Sequence, residues 1–364
     1  MTYMCFIFLF WLNINNVFAV TVEPVLEDPF DIGGGGSSLT RGTQEGMLIS
    51  NPATLPYGGV FYRWTGVKTS VFAGADSVET ARSQLQGDNA EEEVSQEDIL
   101  KLVDQPLHIG VSQTVSFILN NGGFTVFLNT HPDLRAWPKG DPYLGIGGPT
   151  VVARNEIYAG GVASIASQSY WRWLSFGVNF KYLLINDSLT VVDMTDREAV
   201  ANLQEQSGAV DQSILNTGTG MDFASLIFKQ GQNIDFRLAA VMENLGGLAL
   251  IGTGAPLEKK QMLHTGASVT LHNEADAIHL SVDYRDVLNA YGEPVFKRIY
   301  AGTKILLRQY VGISSGVYHG SPSYGAEIDF ILFRLSAATY RREYGATPGV
   351  DQRRVYVISL TTGY

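Results

Sequence analysis

Arg353-Arg-Val-Tyr-Val-Ile-Ser-Leu-Thr-Thr-Gly-Tyr364 decides how the rest of the chain is read. At every second position back from the end, Tyr364, Thr362, Leu360, Ile358 and Tyr356 form one mostly apolar row with an aromatic residue at each tip. Side chains alternate across a strand, so that row occupies a single face. Such a strand can edge a soluble sandwich, with its apolar row turned inward. It can also close a transmembrane barrel, with the apolar row against lipid and the alternate row lining a lumen.

The same period recurs upstream. Phe176, Val178, Phe180, Tyr182 and Leu184 alternate with Gly177, Asn179 and Lys181. Ile234, Phe236, Leu238, Ala240 and Met242 oppose Asp235, Arg237 and Glu243, and Ile278, Leu280, Val282 and Tyr284 oppose His279, Ser281, Asp283 and Arg285. Ile331, Phe333, Leu335 and Ala337 face away from Arg334, Ser336, Tyr340 and Arg342. The opposed rows carry ionic groups, as a water-lined interior requires.

Candidate strands lie near 58–74, 107–118, 122–130, 150–166, 170–185, 221–230, 233–244, 262–272, 276–286, 297–307, 309–319, 322–331, 332–343 and 353–364. Asn120-Asn-Gly-Gly123 joins two of them as a hairpin turn, because Asn and Gly tolerate positive φ. The expected fold is all-β: a transmembrane antiparallel β-barrel of about 14 strands, an even number, with polar insertions on its loops. Two acidic, helix-prone stretches break the strand pattern, about 76–104 and 193–216. Both are too polar for lipid and are expected as helical loop insertions, either simply solvated or acting as a gate.

The amino-terminal end points to export. Met4 to Leu12 is almost wholly apolar, followed by Asn-Ile-Asn-Asn and then Val17-Phe18-Ala19. That is a signal-peptide core with small residues before a cleavage point after Ala19, and it is too short to span a bilayer as a helix. Cys5, the single cysteine, lies within it. The mature chain then has no thiol for disulfides, thiolate metal sites or cysteine nucleophiles. A formal charge of −11 lacks the basic stripe that nucleic acid requires.

Enzyme motifs are absent: there is no His-Glu-x-x-His, no Gly-x-Ser-x-Gly and no paired Cys. The chain is therefore expected to be no enzyme and to need no cofactor or metal. His264 and His272 can share a strand face, where a wall role is the expectation. Gly33-Gly-Gly-Gly36 has no preceding strand and no Gly-Lys-Ser/Thr after it, so it reads as linker and not as a phosphate cradle. Trp171 and Trp173, with Trp64 and Trp137, read as interface anchors. Phe124, Leu134 and Trp137 are expected on loops, where they could dock a partner.

The order of a Gly-rich stretch, Asn51-Pro52-Ala53 and then a first strand resembles the amino-terminal region of the FadL superfamily of outer-membrane proteins. Glu243-Asn-Leu-Gly246, Leu280-Ser-Val-Asp-Tyr-Arg-Asp286 and Phe296-Lys-Arg-Ile-Tyr-Ala-Gly302 are similar to its PorV-like and conjugal-transfer TraF-like branch. The resemblance covers most of 40–364 and implies three parts: a signal peptide (1–19), an amino-terminal plug or hatch in the lumen (20–57) and the outer-membrane barrel (58–364). It implies a hatch whose turn involves Gly46, Asn51, Pro52 and Ala53, in a Gram-negative-type outer membrane. Asp235, Arg237, Asp283, Arg285, Arg298 and Lys304 are the expected luminal wall. Two functions follow as expectations. One is a channel for small hydrophobic molecules, which leave sideways into the membrane lipids. The other is a plugged, non-transporting partner of secretion or conjugation machinery.

Overall fold

Alternating sequence becomes strand throughout the computed structural model, which describes residues 28–40, 48–57, 62–74, 107–119, 121–137, 150–170, 172–193, 210–252, 257–273, 275–308, 310–330, 333–343 and 352–363. The signal-like segment, Gly46, the first acidic insertion and 194–209 of the second lie outside them. The strands are β1 (Tyr62–Gly74), β2 (Leu107–Leu119), β3 (Gly122–Trp137), β4 (Thr150–Gln168), β5 (Leu174–Asp193), β6 (Val210–Lys229), β7 (Ile234–Glu243) and β8 (Leu248–Gly252). They continue with β9 (Leu257–Lys259), β10 (Met262–His272), β11 (Ala277–Tyr284), β12 (Ile299–Leu307), β13 (Val311–Tyr318), β14 (Ser321–Asp329), β15 (Phe333–Glu343) and β16 (Gln352–Gly363).

All pairings are antiparallel. Neighbours in sequence pair from β1 through β7 and from β10 through β16. β7 pairs with β10, and β16 returns to β1. One end has tight turns, such as Leu119 to Gly122 and Leu307 to Val311, while the other carries the long links, such as Gly74 to Leu107, and one tight turn, Tyr318 to Ser321.

Three expectations change. Val210 to Asn216 belongs to β6 and not to a helical insertion, because its backbone pairs continuously with β5 from Val191↔Val210 onward. Phe124, Leu134 and Trp137 all lie in β3, which runs to Trp137 and pairs with β4 along its length, so they are not loop residues. β8 and β9 form a short hairpin inside the β7–β10 connection, beyond the expected strand set.

The polarity of the sheet runs opposite to that of a soluble protein. Phe180 is 53% exposed and Ile358 56%, whereas their neighbours Asn179 and Ser359 are fully buried. Phe124, Val126 and Leu128 are exposed while Thr125 and Asn129 are buried, and the terminal row of Tyr356, Ile358 and Leu360 is likewise exposed. Water offers no reason to expose such rows and bury hydroxyls and amides; a hydrocarbon surround does.

The described residues of the amino-terminal segment lie against part of the polar face. Every described residue from Asp28 to Thr40 is buried. It opens with a one-turn helix, α1 (Pro29–Gly33), where Asp28 Oδ1 accepts from Phe30 N at 2.8 Å and Pro29 needs no donor partner. Gly35 and Gly36, at φ +77° and +68°, then reverse the chain in the left-handed region that glycine tolerates. A 3-10 turn (Pro52–Tyr57) ends the segment, with Pro52 to Leu55 buried.

Candidate functional site

From Asp28 to Thr40 the segment crosses the buried face strand by strand. Asp28 Oδ2 pairs with Arg334 on β15 at 3.1 Å. Phe30 O accepts from Ser314 on β13, Gly33 O from Ser323 on β14, and Asp31 pairs with Lys304 on β12. Gly36 O accepts from Arg285, Leu39 N donates to Asp283 on β11 at 3.0 Å, and Thr40 O accepts from Arg237 on β7 at 3.2 Å. The second half continues on the other side. Leu48 O accepts from Ser164 on β4, while Ile49 O and Ala53 O accept from Asn179 and Ser175 on β5. Tyr57 packs edge-on to Phe228 and donates to Arg172 O at 3.0 Å.

Glycines on the wall permit this closeness. A Cβ on Gly177 would lie 2.5 Å from Ala53 N, and one on Gly302 would strike the carbonyl of Gly34. Asn51 joins the two halves: its Nδ2 donates to Leu39 O at 2.6 Å, and its Oδ1 accepts from Ala53 N at 3.0 Å. Both atoms of a fully buried amide are thereby satisfied, which fixes the turn that Pro52 begins.

Four of the six expected wall residues touch this segment: Arg237, Asp283, Arg285 and Lys304. The other two make their contacts within the wall. Asp235 faces His272 at 3.3 Å near the tight-turn end, and Arg298 donates to Asp286 O at 2.8 Å from a 3-10 turn (Val295–Arg298) at the long-loop end. Of the expected hatch residues, Asn51, Pro52 and Ala53 are buried in the segment. His264 and His272 do share the buried face of β10. Eight residues of strand separate them by about 26 Å, so each meets its own carboxylate, Glu243 or Asp235.

Periodicity could not place an ionic network centred on Lys181. Its Nζ lies 2.7 Å from Asp222 Oδ1, 3.3 Å from Glu243 Oε1 and 2.8 Å from Asn244 Oδ1. Glu243 Oε2 continues to His264 at 3.1 Å, and Asp222 Oδ1 accepts from Asn244 N at 2.9 Å. The alternation marks each residue as facing the same side, but their meeting depends on the register of β5, β6 and β7. Where the network reaches the wall, the exposed side carries an apolar groove of about 1000 Å³. Phe124, Val126, Ala163, Phe180, Tyr182, Met221 and Leu245 contribute its apolar lining, with Gly161 and Gly220 at its floor.

This wall defines a class of fold: a large antiparallel sheet with an exposed apolar face and a buried polar face that the described amino-terminal residues touch. No family model and no curated protein matches the sequence. Solved structures do. The Ralstonia pickettii toluene transporter TbuX superposes with a TM-score of 0.52 at 9% identity, covering 94% of this chain and 100% of that one. The Pseudomonas putida toluene transporter TodX gives 0.49 at 12% identity over 93% and 99%, and a Pseudomonas aeruginosa FadL homologue 0.40 at 11% over 93% and 98%. At these identities the likeness to TbuX is one of fold.

Proposed function

We propose that this chain is an outer-membrane channel for small hydrophobic molecules, built as a closed fourteen-strand barrel of the FadL superfamily and gated by its amino-terminal segment as a hatch. The observation that carries the reading is the reversed polarity of the wall, with residues 28–40 and 48–57 against its polar side. Each of β1–β7 and β10–β16 has a paired strand on both sides, which supports closure. The tight turns then face the periplasm and the long links the outside. The shared fold with the toluene transporter TbuX supports an apolar cargo. Such a cargo needs a path that avoids bulk water, and the groove beside Phe180 and Leu245 offers an apolar surface on the lipid side.

Purified chain in liposomes should take up a small aromatic hydrocarbon faster than empty liposomes do, and equal rates would end the reading. The alternative is a permanently plugged barrel that serves secretion or conjugation machinery, in the manner of the PorV-like and TraF-like branch. The two buried ion pairs that tether the segment, Asp28–Arg334 and Asp31–Lys304, favour that alternative. Native mass spectrometry of gently extracted protein separates the two: a heteromeric mass without a small ligand supports the plugged partner.

A further inference from the structure

We propose that the exposed face of β2 around Gln113 is the surface on which a second copy of this chain docks within the membrane. The inference rests on the membrane reading of the wall and adds a partner to it.

Gln113 breaks the apolar row of its strand. Val111, Val115 and Leu119 are exposed on the same face of β2, and Gln113 stands exposed among them. Its rung is apolar as well: Gln113 is in register with Leu128 on β3 and with Thr69 on β1, which is in register with Leu360 on β16. Leu128 and Leu360 are both exposed, as is Val126 one rung nearer the tight-turn end. A carboxamide thus sits at the centre of an otherwise apolar patch.

Its depth makes that position costly. Six residues of strand separate Gln113 from Leu119 at the tight-turn end. They span about 20 Å along the strand, or about 15 Å of depth at the usual barrel tilt. The apolar band of such a wall is about 25 Å tall, so Gln113 lies near its middle and its short side chain does not reach water. Hydrocarbon offers neither donor nor acceptor. A hydroxyl on this face finds its own sheet: Thr130 Oγ1 donates to Val111 O at 3.4 Å. The Gln113 amide makes no such bond among the described residues.

A second copy supplies what lipid cannot. A two-fold axis along the membrane normal brings equal depths together, so Gln113 meets Gln113. Each carboxamide carries both donor and acceptor, and two of them exchange Nε2–H···Oε1 bonds reciprocally. The valines and leucines around them close on their counterparts and keep the pair dry. A different protein would need a matching polar group at the same depth, whereas an identical chain has one by symmetry.

Sedimentation equilibrium of the full chain in detergent micelles tests this. The parent should dimerise. Gln113→Leu should weaken association about tenfold, the worth of a hydrogen-bonded polar pair in a membrane interior, and Gln113→Asn should associate more tightly than the Leu variant. A second measurement leaves Gln113 in place. In liposomes, a short bismaleimide should link Cys5→Ser/Val115→Cys chains into dimers and leave Cys5→Ser/Ile313→Cys chains, labelled on the exposed side of β13, monomeric. Monomers at every concentration, or equal association of the Leu variant and the parent, overturn the docking surface and leave the membrane reading standing. Cross-linking of Val115→Cys in native membranes to a different protein alone also overturns it. A chain that does not enter liposomes overturns both.

Discussion

Lys304 and Asp31 form an ion pair in which both side chains are almost fully buried, one from the wall and one from α1. Replacing Lys304 by Met leaves the Asp31 carboxylate beside a methyl group, at a cost of about 3–5 kcal/mol for a buried charge without its partner. The cost falls on attachment of the segment, because the ladder of β12 needs no side chain. Lys304→Met should therefore raise the ion conductance of the reconstituted chain while heat-modifiable migration of the wall is kept. Gly302 acts sterically at the same contact. Gly302→Ala pushes a methyl into the carbonyl of Gly34 and should open the conductance without removing any charge. Of these residues, Lys304 was legible as a polar residue on an alternating strand. Asp28 and Asp31 were not, since nothing local tells a linker aspartate from one paired nearly 300 residues away.

Among elements, legibility followed the strength of the alternation. β7, β11 and β15 carry clean apolar rows and were readable with bounds close to those observed, whereas β5, expected over 170–185, runs on to Asp193 through a stretch without such a row. The first half of β6, Val-Asp-Gln-Ser-Ile-Leu-Asn-Thr-Gly-Thr-Gly, has no such row and is made a strand by its ladder with β5. β8 and β9, of 5 and 3 residues, are too short for any period to register. The described residues of the amino-terminal segment contribute no strand to the sheet, and each wall strand keeps its ladder without them. Deleting Asp28–Tyr57 should accordingly leave a folded, heat-modifiable wall and produce a large, steady ion conductance. A chain that fails to fold after this deletion would mean that the segment is a structural core and no hatch.

For the whole molecule, the decisive property is the reversal of polarity between the two faces. It predicts where a charge is costly. Ile313, about half exposed near the middle of β13, should resist replacement by Lys by about 2–4 kcal/mol if lipid surrounds it, measured as reduced folding into vesicles. A water-facing residue of equal exposure would tolerate the change. The same band should make the chain precipitate when detergent is removed without added lipid.

The sequence by itself determined the strongly alternating strands, their two rows and the polar character of one row, because side-chain alternation is a local consequence of backbone geometry. It also marked Arg237, Asp283, Arg285 and Lys304 as residues of the ionic row, while the turn at Asn51-Pro52-Ala53 was an expectation from the family resemblance. Only the tertiary structure decided which row is buried, that residues 28–40 and 48–57 lie against it, and that Lys181, Asp222 and Glu243 meet. Those facts depend on register and on contacts between distant segments. Either row of an isolated strand can face inward, and the choice is made when the strands pair and one face meets the amino-terminal chain while the other meets its solvent.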